Sequence, residues 1–132
     1  MTMQNIKRFA IFALLAFATL SSKAQGNIND IYIAQYWNMA VEQMQKYRIP
    51  ASITLAQGII ETSAGRSMLC TKGNNHFGIK CSNGWTGPYM LANDDRPNEK
   101  FRAYKSARES YVDHSSFLTQ SPRCFFLFKL NP

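Results

Sequence analysis

Between residues 29 and 47 the apolar positions Ile33, Trp37, Val41 and Met44 recur every three or four residues, the spacing of one helical face. This stripe predicts a first helix, capped by Asn29 or Asp30 and ending near Tyr47, ahead of Pro50. Pro50 suits the first position of a second helix running to about Thr62, because its fixed φ is helical and its missing N–H is not needed there. In that helix "SITLAQGII" is apolar on nearly every side, Glu61 follows it, and the small residues of "SAGRS" then stop it. "RSMLC" adds a short turn of helix.

From Gly73 to Tyr104 the pattern changes. Gly73, Gly78, Gly84, Gly87, Pro88 and Pro97 interrupt short β-prone pieces, which predicts an irregular lobe containing a β-hairpin. In "KFRAY" the alternation places Phe101 and Ala103 on one face and Lys100, Arg102 and Tyr104 on the other, so Tyr104 is expected to look toward a polar side. "SARE", Ser106 to Glu109, is a capping box that opens a helix through about Leu118. The tail "SPRCFFLFKLNP" gathers Phe125, Phe126, Leu127, Phe128 and Leu130 into a segment that needs covering, by the core or by an element beyond Pro132.

The N-terminus has a separate logic. Lys7 and Arg8 precede an apolar run from Phe9 to Leu20, and Ser22-Lys23-Ala24 follows, the layout of a secretory signal peptide over residues 1–24 with cleavage after Ala24. The run is shorter than the roughly 20 residues a membrane-spanning helix needs. The expectation is therefore an exported protein acting in the periplasm, cell envelope or outside the cell, with no stable membrane insertion after cleavage. Residues 25–132 are left for one domain, large enough for a real core.

Over all 132 residues the formal charge is +7, but removing Lys7, Arg8 and Lys23 leaves 12 basic against 8 acidic residues, a balance of +4. That fits attraction to an anionic surface such as a bacterial envelope. No polybasic block or nucleic-acid motif is present, and export argues against a nucleic-acid partner. Three cysteines, Cys70, Cys81 and Cys124, leave at least one thiol free or paired between molecules in an oxidising compartment. With only His76 and His114 to join them, no metal and no cofactor is expected.

The chemistry concentrates on Glu61, although a lone glutamate at a helix end is more often a surface residue or a buried hydrogen-bonded one. A carboxylate in the last turn of an apolar helix meets both desolvation and the negative end of the helix dipole, and both favour the neutral acid. That is the state a general acid needs when it protonates a glycosidic oxygen. Ser63, Ala64 and Gly65 then remove bulk beyond it, leaving room for an extended polymer.

The ordered set "AQGIIETSAGRS", "GNNHFGIKC", "WTGP", "FRAYKS" and "SYVDHSSFL" resembles the glucosaminidase domains of glycoside hydrolase family 73, the family of bacterial autolysins and flagellar rod-associated muramidases. The resemblance covers roughly Ile49 to Leu130. It implies an α+β, mainly α, lysozyme-like helical domain with a small β-hairpin lobe facing it across a groove. It implies peptidoglycan glycan strands as the partner, a monomer, and cleavage of the β-1,4 bond after N-acetylglucosamine with Glu61 as general acid. Tyr104 matches a tyrosine associated with activity. In the cleft-lining "NNHFGIK", Asn75, Phe77 and Gly78 are the expected substrate contacts: an amide can bond an acetamido group, an aromatic face can stack on a sugar, and glycine admits close backbone approach. Phe77 reads equally as a core residue. For a second carboxylate the lobe offers Asp94, Asp95 and Glu99, with Asp94 or Asp95 favoured, although "NDDRP" also reads as a solvated turn. Assistance by the substrate's own acetamido oxygen would need Glu61 alone.

The chain departs from the family's pattern at several points. Relatives of this type carry a third aspartate where Asn93 stands, a cysteine suited to pair with Cys81 where Lys100 stands, and an aromatic where Cys124 stands. Their domain continues past Pro132, so a domain incomplete at its C-terminus is expected. A lytic transglycosylase, and a degenerate domain that binds cell-wall glycan without cutting it, are the competing readings.

Overall fold

The computed structural model describes residues 27–82, 84–122 and 124. The signal-peptide reading and the apolar tail from Phe125 onward fall outside those residues.

Helix α1, Ile28–Tyr47, is capped by Asn27, whose side chain accepts from the Asn29 amide at 3.0 Å. The cap is therefore two or three residues earlier than expected. The buried face differs too: Tyr32, Ala40 and Gln43 are buried, while Ile33 and Trp37 stay 39% and 48% exposed. The stripe is rotated because Tyr32 can bury its polar tip. Its hydroxyl lies 2.8 Å from His76 Nδ1 and 3.1 Å from the Tyr111 hydroxyl, so the ring enters the core without leaving a polar group stranded.

Helix α2, Ala51–Thr62, follows Pro50 and packs on α1. Its buried stripe is Thr54, Gly58 and Thr62 rather than its isoleucines, and Ile60 is 77% exposed. Close approach explains this choice, since a Cβ at Gly58 would collide with the Tyr32 hydroxyl. The helix stops in an unusual way. Ser63, Ala64 and Gly65 have φ of 51°, 56° and 84°, three left-handed residues in a row, which accounts for the small side chains there. Thr62 latches the turn, donating to the Gly58 carbonyl at 2.5 Å and accepting from the Gly65 amide at 2.7 Å.

Helix α3, Met68–Gly73, starts on the Ser67 cap and meets the first strand. Strands β1, Tyr89–Ala92, and β2, Glu99–Arg102, form an antiparallel hairpin with Tyr89 opposite Arg102 and Ala92 opposite Glu99. Residues 79–81 run antiparallel along the other edge of β2: Arg102 N donates to Ile79 O at 2.9 Å and Cys81 N to Lys100 O at 2.8 Å. Lys100 thus stands opposite Cys81, and all three cysteines are free thiols. Helix α4, Ala107–Thr119, opens on the expected cap, with Ser106 Oγ accepting from the Glu109 amide at 3.3 Å, and packs against α1.

The core joins Ala40, Phe77, Ile79 and Tyr111, with Ile49 and Leu118 forming a second cluster. His76 is 1% exposed within the tyrosine knot, and His114 stacks on Phe77 with ring centres 3.8 Å apart. Burial pushes both imidazoles down to about 4, so both are neutral near pH 7. The architecture is α+β and mainly α, as the sequence predicts. No helix of the described residues is long and apolar enough to cross a membrane.

Candidate functional site

Glu61 sits one residue before the end of α2, beside the buried Thr62 that anchors the left-handed turn. The helix buries its threonine and glycine stripe against α1, and Glu61 falls off that stripe. Its side chain is exposed, so the desolvation expected from the apolar sequence is not provided by the fold. What the fold provides is a close backbone neighbour. Gly78 adopts φ 60°, and a Cβ on it would lie 3.1 Å from Glu61 Oε2. Glycine at that position lets the backbone lie directly alongside the carboxylate.

Gly78 also lines a hollow of about 370 Å³, with Lys80, Cys81, Ser82 and Phe117 among its walls. A second hollow of about 430 Å³ adjoins it through Ser82 and Phe117 and includes Arg102, Asp113 and Ser116. A third, of about 620 Å³, shares Asp113 and Ser116 with the second and reaches Trp85 and Tyr104. The lobe forms one wall of this series and α4 the other.

Between the walls lies a charge cluster that sequence reasoning did not single out. Arg102 Nη1 donates to both Asp113 oxygens at 3.0 and 2.8 Å, its Nη2 donates to Ser82 Oγ at 2.9 Å, and its guanidinium lies 4.6 Å over the Trp85 ring. Tyr104 donates to Asp113 Oδ2 at 2.6 Å. Burial, then the Asp113 bond, pushes the Tyr104 hydroxyl up, so it stays protonated and acts as a donor. The alternation in "KFRAY" did place Arg102 and Tyr104 on one face, and both reach the same carboxylate. The ring of Tyr104 is nevertheless buried, so only its hydroxyl edge meets the polar side. Asp113, inside the quoted "SYVDHSSFL", was the available signal: a carboxylate facing a basic and a phenolic residue two positions apart on an extended segment.

Asp94 and Asp95 lie in the hairpin turn and converge with Glu99 on Lys80, whose Nζ is 2.7, 3.5 and 3.1 Å from the three carboxylates. These oxygens are close enough together for a cation, and the one they surround is the Lys80 ammonium. Its hydrogen bond holds the Asp94 carboxyl below its ordinary value, so this carboxylate is ionised. Lys80 lines the same hollow as Gly78, which links the acidic turn to the segment beside Glu61.

Of the two remaining residues in "NNHFGIK", Asn75 is corrected, and Phe77 takes the core position that the sequence left open beside ligand contact. Asn75 is 1% exposed, and both of its amide hydrogens go to backbone, Ile79 O at 3.0 Å and Arg102 O at 2.9 Å. Its oxygen accepts from the Phe77 and Ile79 amides. With no group free for a ligand, Asn75 clamps the segment to β2. Phe77 is a core residue, edge-on to Tyr111 and stacked on His114, with only a margin of its ring on the hollow.

The glucosaminidase family model, described as mannosyl-glycoprotein endo-beta-N-acetylglucosaminidase, matches residues 37–130. The exo-glucosaminidase LytG of Bacillus subtilis is 33% identical over 84 residues, 58% of this chain and 29% of LytG. The crystal structure of a peptidoglycan hydrolase from Sphingomonas sp. A1 superposes with a TM-score of 0.63 at 31% identity, covering 70% of this chain and 63% of that one. The glycoside hydrolase domain of Salmonella typhimurium FlgJ shares the fold, with a TM-score of 0.67 at 24% identity over 77% of this chain and 67% of that one. The chain thus spans under a third of LytG and just under two thirds of the Sphingomonas hydrolase. It has the lysozyme-like fold of these domains and belongs to the glucosaminidase family, glycoside hydrolase family 73.

Proposed function

We propose that the chain is an exported peptidoglycan hydrolase that cleaves the β-1,4 bond after N-acetylglucosamine in glycan strands, with Glu61 as general acid. The observation that carries this reading is the placement of Glu61: an exposed carboxylate in the last turn of α2, set against the Gly78 backbone, which itself lines a hollow of the groove. Family membership and the peptidoglycan hydrolase of Sphingomonas sp. A1 support the substrate class.

Because Glu61 is exposed in the free chain, the substrate itself supplies the missing desolvation. A glycan strand lying across Gly78 displaces water from the carboxyl, which favours the protonated acid as the bond to the leaving sugar lengthens. Asp94, kept ionised by Lys80, is the candidate to activate water, with Asp95 as its alternate. Tyr104 acts by holding Asp113 and the groove wall. If the acetamido oxygen of the substrate serves instead, Asp94→Asn and Asp95→Asn retain activity and Glu61→Gln alone removes it.

The experiment is product analysis of purified sacculi digested by the chain and by its Glu61→Gln form. Hydrolysis leaves reducing N-acetylglucosamine ends in the first digest and none in the second. Anhydro-muramic ends would identify a transglycosylase instead. Retention on sacculi with no new ends from either form would identify a binding domain.

A further inference from the structure

Phe77 immediately precedes Gly78, and two side chains of α4 hold its ring. His114 stacks on it with ring centres 3.8 Å apart and planes within 10° of each other. Tyr111 meets it edge-on at 4.9 Å. The Asn75 clamp gives the 75–79 turn its shape, since all of its bonds go to backbone of the turn and of β2. The Phe77 stack gives that turn its position against α4, and Gly78 carries the position to the Glu61 carboxylate.

Histidine is a costly residue for this task. His114 is 4% exposed, and its Nδ1 is buried with no hydrogen-bond partner. Phenylalanine would give the same stack without burying a polar atom, and buried polar atoms are nearly always bonded. What an imidazole adds is a site for a proton. The titratable groups around the stack do not provide that proton with a counter-charge of its own. Tyr111, and Tyr36 of α1 stacked on it, are phenols whose hydroxyls burial pushes up. His76 lies 6.4 Å from Phe77, and its Nδ1 already faces the Tyr32 hydroxyl. Asp113, beside His114 on α4, draws a proton toward it, but this carboxylate is committed to Arg102 of β2 and to Tyr104. A charged imidazole on a ring face gains some cation–π attraction, which is smaller than the cost of holding an unpaired charge away from water. Leaving the stack and reaching water relieves that cost.

We propose that His114 is a positioning residue of the site: neutral, it holds Phe77 and thereby sets the Gly78 backbone against Glu61, and protonated, it releases both. The proposal rests on Glu61 as the reacting carboxyl and adds a control over it. Acid then disarms the site from the core side, through a residue that touches no substrate.

The test is an NMR titration, from pH 7 to pH 3, of the full chain carrying Glu61→Gln, which removes the titration of the group beside Gly78. The Phe77 and Gly78 amides are expected to shift with the same midpoint as the His114 ring, at about 4, while the amides of α2 keep their folded positions. No shift at Gly78, a midpoint that differs from that of the ring, or simultaneous loss of all folded signals overturns the proposal. His114→Phe, which keeps the stack and removes the proton site, is expected to abolish the Gly78 shift, and persistence of the shift in that variant overturns the proposal too. If the phenylalanine chain fails to fold, the titration of the His114-containing chain decides alone. On sacculi, kcat/KM of the chain with Glu61 intact should fall about tenfold more between pH 7 and pH 3 than that of its His114→Phe form, one pH unit below the midpoint leaving about a tenth of the imidazole neutral. Equal falls in the two overturn the positioning role. Release of reducing ends by the wild-type chain at pH 7, compared with Glu61→Gln, tests the role of Glu61 separately, because the NMR response needs no turnover.

Discussion

Around Tyr32 the helical half hides its polar groups, whereas the hairpin lobe keeps its charges near the surface and is tied down by them. In the helical half Tyr32, His76 and Tyr111 are 2% exposed or less, and their hydroxyls and imidazole bond one another. In the lobe Tyr89 and Leu91 are about half exposed, and the fastening is ionic: Lys80 within the acidic turn, and Arg102 to Asp113 across to α4. Buried neutral groups are indifferent to salt but sensitive to acid, because protonating them puts charge where there is no water. Surface ion pairs respond the other way, weakening with salt and staying intact until their carboxylates protonate. The candidate site lies where the two regimes meet, with Glu61 on the helical side and the groove wall on the ionic side.

The largest expected difference is with pH. His76 and His114 titrate near 4 when folded and near 6.5 when unfolded, so below pH 6.5 the unfolded chain takes up protons that the folded chain refuses. Their stabilisation is complete above pH 6.5, is lost as pH falls toward 4, and levels off below that. Each histidine contributes about 3 kcal/mol to the loss. Urea denaturation at pH 7 and pH 4.5 should show a steep drop, and His114→Gln should remove about half of it. A stability unaffected over that range would show that the knot is not sealed.

Asp113→Asn comes next. It leaves the Arg102 guanidinium and the Tyr104 hydroxyl without their carboxylate, at a cost of about 2 kcal/mol. Hydrogen exchange should quicken in β1 and β2 while α1 keeps its protection, and equal quickening in both would erase the distinction between the two regions. Gly58→Ala tests the helical side. The added methyl group collides with the Tyr32 hydroxyl, an overpacking that partial recovery from helix propensity reduces to about 1 kcal/mol. Combining it with Tyr32→Phe should cost less than the sum of the two, because the phenylalanine ring no longer presents the colliding oxygen. The smallest effect belongs to Lys80→Met. NMR titration should show the Asp94 carboxyl moving upward, salt should produce part of the same movement in the wild type, and thermal stability should scarcely change.

These contrasts also explain what could be read from the chain. Local chemistry was legible: Ser106 caps α4, and Pro50 stands at the N-cap of α2, one residue outside the first position expected for it, because the signals and the bonds lie within a turn of each other. The buried face of α1 was not, because Tyr32 and Gln43 look amphipathic by type while Ile33 and Trp37 look like core. Only the distant His76 and Tyr111 make Tyr32 a core residue. Asn75 was misjudged for a related reason. Its role is set by the backbone groups of Ile79 and Arg102, a need that arises only once the segment lies against β2. Gly78 was expected to let backbone approach a ligand, and the group found beside it in the structure is the Glu61 carboxylate. Asp113 escaped notice because its partners come from the lobe, across a loop that periodicity does not bridge.

The central claim is that Glu61 gives a proton to the departing sugar, and leaving-group dependence tests it most directly. Wild-type and Glu61→Gln chains are compared on glycan strands and on an N-acetylglucosamine oligomer carrying a dinitrophenyl leaving group, which departs without protonation. The account predicts a loss of about 100-fold or more on glycan strands and a far smaller loss on the dinitrophenyl substrate. Equal losses on both substrates, or no loss on either, would contradict it.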